Sequence, residues 1–536
     1  MRRFFSLFTM MMLCSVLSFA QSRVVSGTVT DANGNGVAFA SVVIKRGGGV
    51  STDVNGAYSI RVNPGDVLLI SQGSYEPVEV PVGSLTSINT TLKLKENTIA
   101  EVVVTSAFNT KRAARSVASN VQNVSGEQLN TVRQPNINNA LAGKVAGLQV
   151  QSQSSAKLGQ ATVVRLRGEN GFGVGSGAIY VVDGTIMTNN SDINPDDVED
   201  VSVLQGPAAA ALFGPDGANG AIVITTKKAK RGRGDIGIEL NTGVQTDNVY
   251  ILPSYQNSYV GGSSSDWIKF VYKPGIHPEG WAALDGKYYH DFQEDVSWGP
   301  RLVEGQEYLP WYSFYGGHED SYKSAIMKRQ PNNARDFFNT GLSLINNIAF
   351  SKSADNFNFR ASYTNFDQKG LIPTSWLKKN TLNLNGSIDL GTKFTFSTNI
   401  TYVNQKSNAE NDDSYSNNST GSFNQWFHRD IDINKLRELR GLKTTNGVLA
   451  TWNLTNPNSY SLAKTEAQNF GAYYWFNPYA WQDNLTQLAN RDRLLGDAAL
   501  TFKASNDLKF RFTYRRQQVN ADSETRLYRN LQNSVS

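Results

Sequence analysis

From Ile236 onward the sequence alternates apolar and polar residues with a period of two, run after run. Ile236, Ile238, Leu240 and Val244 set the pattern, and Phe357, Phe359, Ala361 and Tyr363 repeat it. It returns at Leu382–Leu390, Phe394–Tyr402, Ala498–Ala504 and Leu508–Tyr514. With the less regular run 340–350 these make about seven strands. The connectors are unequal: long at 247–339 and 405–492, medium at 367–379, short at 351–356, 391–393 and 505–507. Short turns on one side and long loops on the other is how an outer-membrane barrel is built, with the short side periplasmic. A mean hydropathy of -0.37 rules out a bundle of membrane helices, each of which needs about 20 consecutive apolar residues. It leaves a barrel open, because barrel strands are apolar only at alternate positions.

The chain opens with Met1-Arg2-Arg3, an apolar stretch from Phe4 to Leu17 and the small-x-small site Ser18-Phe19-Ala20. Residues 1–20 therefore read as a secretory signal peptide, too short to span a bilayer. The single Cys, Cys14, lies inside it. The exported chain then has no thiol for a disulfide, a metal or nucleophilic chemistry. A net charge of +5 over 536 residues is too dilute to argue for nucleic acid.

Residues 21–97 alternate short β-rich runs with turns and predict a small antiparallel β-sandwich. Asp31-Ala32-Asn33-Gly34 and Asp53-Val54-Asn55-Gly56 read as tight turns, since neither continues to a ligating Glu as a calcium loop would. Residues 98–124 form a linker, interrupted by the β-prone Ile99-Ala100-Glu101-Val102-Val103-Val104-Thr105. An extended segment of that kind is suited to binding a partner by strand addition. Residues 125–230 are mixed α/β, with a short helix over Asn136–Leu148 and strands at Val163–Leu166, Ala178–Val182, Val201–Leu204 and Ala221–Ile224. Gly171, Gly173, Gly175 and Gly177 lack the strand and helix of a phosphate-binding loop and read as a flexible loop.

Three stretches in this region carry a specific resemblance: Val164-Arg165-Leu166-Arg167-Gly168, Tyr180-Val181-Val182-Asp183-Gly184 and Asn194-Pro195-Asp196-Asp197 running through Leu204. They continue into Gln205-Gly206-Pro207, Gly214 and Gly217-Ala218-Asn219-Gly220-Ala221. Together they resemble the plug domain of TonB-dependent outer-membrane receptors of the SusC/RagA type. Gln205-Gly206-Pro207 and Gly214-Pro215-Asp216-Gly217 depart from that subfamily's usual wording and are read as loop variation. The sandwich at 21–97 resembles the carboxypeptidase-regulatory-like domain that precedes such plugs, and Glu101, Val102, Val103, Val104 and Thr105 stand where the family has its TonB box.

The resemblance implies a mainly β chain: sandwich, α/β plug and, over 231–536, an incomplete transmembrane β-barrel with long outer loops. A plugged barrel of this class needs about 22 strands, so the expectation is the amino-terminal part of a receptor or a truncated product. It also implies an importer of oligosaccharides or peptides in the outer membrane of a Gram-negative bacterium, with its amino-terminal domain in the periplasm. The expected partners are outer-membrane lipid, the TonB energy-coupling complex of the inner membrane and a SusD-like surface lipoprotein. No cofactor, metal, enzymatic activity or nucleic acid is implied. Alternatives are a surface receptor that binds and signals without transport, and a non-functional truncated receptor.

Arg165, Arg167, Asp183 and Asp197 are internal polar groups that either let a plug move within a wet lumen or form buried structural pairs with the barrel. The first long loop is dense in aromatics, including Trp267, Trp281, Trp298 and Trp311. These suit stacking on sugar rings and equally suit a loop's own core. His277, His290, His318 and His428 lack zinc-site spacing and read as incidental surface residues. Asp285, Glu294 and Asp295 could be arranged as a hydrolytic pair, but nothing in the sequence fixes their separation, so catalysis carries little weight. Lys227, Lys228, Lys230, Arg231 and Arg233 read as a solvated segment at the plug-to-barrel junction.

Overall fold

The computed structural model describes residues 22–93, 121–151, 177–187, 193–229, 236–409 and 425–528 apart from a few internal positions, with shorter stretches including 103–106, 110–113 and 163–166. The predicted export segment lies outside the described residues. The chain divides into two compact units, Met1–Val102 and Val103–Ser536.

In the first unit, strand Arg23–Thr30 lies between Ala57–Val62 and Thr90–Thr91, while a second sheet runs in the order Gly49–Ser51, Ser41–Ile44, Val67–Ser71, Val78–Pro81. Alternate residues point inward, so Val25, Val29, Val42, Ile60, Leu68 and Ile70 fill one core between the sheets. This is the predicted sandwich with one correction. Thr90 pairs with Val29 in parallel, so the sandwich is not purely antiparallel. Parallel neighbours need a crossover rather than a hairpin, and the strands of the other sheet supply it. Both predicted turns form: Asp31 Oδ1 accepts the Asn33 and Asn35 amides at 2.9 Å, and Asp53 Oδ1 accepts those of Asn55 and Ala57 at 2.9 and 2.8 Å.

The second unit begins with a five-stranded sheet in the order Val121–Ser125, Val198–Leu204, Ala221–Thr226, Ile179–Val182, Thr185–Met187. Its central strand Ala221–Thr226 is buried at every residue, as a strand covered on both faces must be. Ile222 and Ile224 pack with Ile137, Ala140 and Leu141 of one helix, and Ala221 and Val223 pack with Ala209 of another, Gly206–Phe213. The first of these helices spans only Ile137–Leu141, shorter than the predicted 136–148, because the backbone leaves the helical region at Ala142 (ψ 128). Asn136 starts it by accepting the Asn138 and Asn139 amides at 2.8 and 3.1 Å.

A single antiparallel sheet of seven strands follows in sequence order: β1 Ile236–Asp247, β2 Gly341–Ser353, β3 Phe357–Lys369, β4 Trp376–Leu390, β5 Phe394–Asn408, β6 Leu485–Lys503 and β7 Lys509–Leu527. The predicted runs are all present and longer than expected, so the medium connector contracts to residues 370–375. Register places alternate residues in rows across the sheet. Leu240, Ile348, Tyr363, Leu382, Tyr402 and Leu494 are successive partners and all are exposed. One residue along, Asn347, Thr364, Thr381, Val403 and Arg493 form a buried row. The sheet is therefore apolar outside and largely polar inside, the reverse of a water-soluble sheet. Among the described residues no helix is long and apolar enough to cross a membrane.

The two long connectors fold together. Trp281, Phe292 and Phe314 of the first share a core with Phe427, Trp452 and Tyr479 of the second. Two short pairs, Ile268–Lys269 with Tyr288–Tyr289 and Glu307–Tyr308 with Ala325–Ile326, stiffen the first loop. This core corrects the reading of the histidines as surface residues: His277, His290 and His428 are buried, and His318 is half-buried. Loops this rich in aromatic rings have enough apolar area to enclose their own polar side chains.

Candidate functional site: the plug on the polar face of the sheet

The plug presents two turns to the inner face of the seven-stranded sheet. The first joins Ile179–Val182 to Thr185–Met187 through Asp183 and Gly184, with φ of 47° and 85°. Two consecutive positive φ values make a type I′ hairpin turn, for which Asp-Gly is a favoured pair. The turn sets the buried Asp183 carboxylate at the end of the plug sheet, where Oδ2 accepts from Thr226 Oγ1 at 2.6 Å and from Asn399 Nδ2 of β5 at 2.7 Å. Lys228 Nζ stands 3.8 Å from Oδ1.

The second turn is the 3₁₀ segment Pro195–Asp197, capped by Asn194. Asn194 Nδ2 donates to Asp197 Oδ2 and to Thr364 Oγ1 of β3, both at 2.8 Å. Asp197 Oδ1 accepts from Arg360 Nη1 at 2.8 Å and from Ser362 Oγ at 2.5 Å, also on β3. Burial pushes the neighbouring Asp196 carboxyl above its ordinary range, against the pull of Arg133, whose Nη2 is 3.3 Å away. The plug backbone is held as well: Asn358 Nδ2 donates to the Ala229 carbonyl at 3.0 Å, and Asn385 Nδ2 to that of Lys227 at 2.6 Å.

Of the plug-motif residues, Asp183, Gly184, Asn194 and Pro195 are thus gathered at the sheet. Gly214, Gly217, Asn219 and Gly220 lie elsewhere, in the turn between Gly206–Phe213 and Ala221–Thr226. Gly220 has φ of 97°, and a Cβ there would stand 2.5 Å from Leu166 Cδ1. Arg165 is half-buried on strand Val163–Leu166, while Arg167 and Gly168 lie outside the described residues. Of the expected TonB box, Glu101 and Val102 also lie outside them. Val103, Val104 and Thr105 sit on strand Val103–Ser106, which pairs with Thr110–Ala113 in a hairpin.

The partners on the sheet were not singled out from sequence: Asn358, Arg360, Ser362, Thr364, Asn385 and Asn399. The alternation marks them as inward positions, but nothing in it marks which inward residues meet the plug. Lys227 and Lys228 are 32 and 41% exposed and lie 3.8 Å from Glu239 and Asp183, while Lys230, Arg231 and Arg233 lie outside the described residues. Of the four tryptophans, Trp281 and Trp311 are buried in the loop core, Trp267 is half-buried, and Trp298 is 74% exposed. Asp295 accepts a hydrogen bond from Trp475 Nε1 at 2.7 Å, which ties it to the loop structure.

The interface combines these hydrogen bonds and the buried Arg360–Asp197 pair with two small apolar contacts: Leu158 packs among Ile345, Phe366 and Leu377, and Leu495 packs against the plug core.

Residues 25–104 match the carboxypeptidase-regulatory-like domain family, and residues 113–221 match the TonB-dependent receptor plug domain family. Among curated proteins the chain is similar to TonB-dependent receptor P26 of Formosa agariphila, with 28% identity over 73% of this chain and 35% of that protein. It is also similar to TonB-dependent receptor SusC of Bacteroides thetaiotaomicron, with 28% identity over 51% of this chain and 29% of that protein. The chain thus spans about a third of the length of these relatives. Among solved structures, the RagAB peptide importer in its closed-closed state superposes with a TM-score of 0.51 at 20% identity, covering 78% of this chain and 43% of that one. The chain thus carries a carboxypeptidase-regulatory-like domain and a TonB-dependent receptor plug domain in that order, followed by a barrel-like sheet, and over that length it is similar to TonB-dependent receptors, SusC among them.

Proposed function

We propose that this chain belongs to an outer-membrane importer that takes oligosaccharides or peptides into the periplasm at the expense of TonB-coupled energy. The observation that carries this reading is the inverted sheet, with exposed apolar rows on one face and a plug hydrogen-bonded to the polar rows on the other. An apolar outer face suits lipid. A polar inner face lets the plug exchange its hydrogen bonds for water when it is pulled. Residues 101–105 are the TonB box in this reading, and TonB grips them by strand addition once ligand has bound above the plug. A SusD-like lipoprotein closes over the outer loops and retains the ligand. Most loop aromatics are spent on the loop core, and the exposed Trp298 is the one of the four tryptophans left open to stack on a glycan.

Deleting residues 101–105 from the receptor should abolish uptake of labelled oligosaccharide or peptide by cells while leaving surface binding intact. Uptake that survives the deletion overturns the reading.

A further inference from the structure

We propose that the two long outer loops share a binding site for a divalent transition-metal ion, built from His290 of the first loop and His428 and Asp430 of the second. One ligand atom from each of these side chains lies within 4.8 Å of the others. The three are 1, 0 and 4% exposed.

The hydrogen bonds around the cluster fix which atoms face inward. Nε2 of His428 is 2.6 Å from the Glu294 carbonyl oxygen, which can only accept, so Nε2 carries the proton and Nδ1 keeps its lone pair. His290 faces the same cluster: Nδ1 lies 3.3 Å from the Asp291 carbonyl oxygen, and Nε2 is 2.9 Å from Asp430 Oδ2. Asp430 Oδ1 is already engaged by the Gly261 amide at 2.8 Å. Each inner atom is therefore backed by a main-chain partner, the outer-shell arrangement that orients metal ligands.

Nε2 of His290, 2.9 Å from a carboxylate oxygen, needs a proton or a metal cation between the two atoms. A proton on Nε2 of His290, in the neutral or the charged ring, would serve there. That proton leaves Nδ1 of His428 without a hydrogen-bond partner among the described residues, although the side chain is fully buried. A cation bound by all three groups satisfies every one of them. Two imidazoles and a carboxylate suit zinc, which commonly leaves a fourth position to water or ligand. A cavity of about 250 Å³ adjoins His290 and Asp430, lined also by Tyr308, Tyr312, Lys328 and Asp432, and provides that position. An ion there ties the two outer loops together.

The test uses the purified full chain, stripped with a chelator and titrated with zinc or cobalt. One zinc per chain is expected, with tetrahedral d–d absorption from cobalt. Binding should be lost in His428→Gln and Asp430→Asn and kept in His318→Ala. X-ray absorption on the unmodified zinc-loaded chain decides the case even where a variant misfolds, since it should show two imidazole ligands. An all-oxygen shell, binding that persists in both variants, or no stoichiometric binding by the folded chain overturns the proposal; the last outcome leaves a proton on His290 and a water on His428.

Discussion

Replacing Asp197 by Asn tests whether a buried charge pair holds the plug on the sheet. Arg360 Nη1 and Asp197 Oδ1 are 2.8 Å apart, and the two side chains are 4 and 6% exposed. Removing one partner of such a pair costs about 3–5 kcal/mol, because the other charge stays out of water. Two features reduce the figure here. Asn keeps an oxygen that can accept from Ser362, and Glu239 Oε2 remains 3.9 Å from Arg360 Nη2. Glu239 is half exposed, so solvent limits its help to about 1 kcal/mol. The expected loss is about 2–4 kcal/mol. Arg360→Met should cost less, about 1–3 kcal/mol, because the stranded Asp197 still accepts from Asn194 and Ser362. The double variant buries no unpaired charge and should recover most of the larger loss. Urea unfolding of the four proteins in detergent micelles measures the cycle. Additivity within about 0.5 kcal/mol refutes the reasoning, as does a loss below about 1 kcal/mol in Asp197→Asn.

Other consequences follow from single contacts. Gly220→Ala forces a side chain into positive φ and against Leu166, so the plug should lose about 1–3 kcal/mol in the same urea assay. Trp281→Ala empties the loop core and should cost about 3–5 kcal/mol, whereas the exposed Trp298→Ala should leave stability within about 0.5 kcal/mol while weakening glycan binding measured by calorimetry. Lys435, 2.7 Å from Asp320, lowers that carboxyl's pKa by hydrogen bonding. Its contribution is present above the unfolded carboxylate pKa of about 4 and lost as pH falls through the lower folded value. Because Asp320 is 37% exposed, the effect should stay under about 1 kcal/mol. Limited proteolysis of the outer loops in acid should show Asp320→Asn less sensitive to pH than the parent chain.

The sheet was legible because its two faces carry opposite chemistry on alternate residues, and Leu240 beside Asn241 already carries the rule. The hairpin turn at Asp183-Gly184 was legible for a similar local reason, since few residue pairs accept two positive φ values. The partner of Asp183 was not. Asn399 lies 216 residues away, and nothing local distinguishes an Asn facing a plug from one facing water. The helix at 136–148 was overestimated because apolar spacing continues past Ala142, where the backbone turns. His290 and His428 were misread for want of the loop core. Their burial depends on rings contributed by two connectors on either side of β2–β5.

The shared core of the outer loops also constrains the order in which the protein can assemble. Nε2 of His428 reaches across 134 residues to Glu294, and Asn453 Nδ2 across 161 to Phe292. Contacts of such span form late, because the ends must meet before any of the entropy of closure is recovered. The first loop must therefore emerge and wait with one side of its core open, Trp281 still lacking the Tyr460 and Phe470 rings it packs against, until β2 to β5 are laid and the second loop arrives. The outer cap should then close in one cooperative step, and a chain interrupted between Asn408 and Leu485 would leave a sticky, protease-sensitive first loop above an otherwise native sheet.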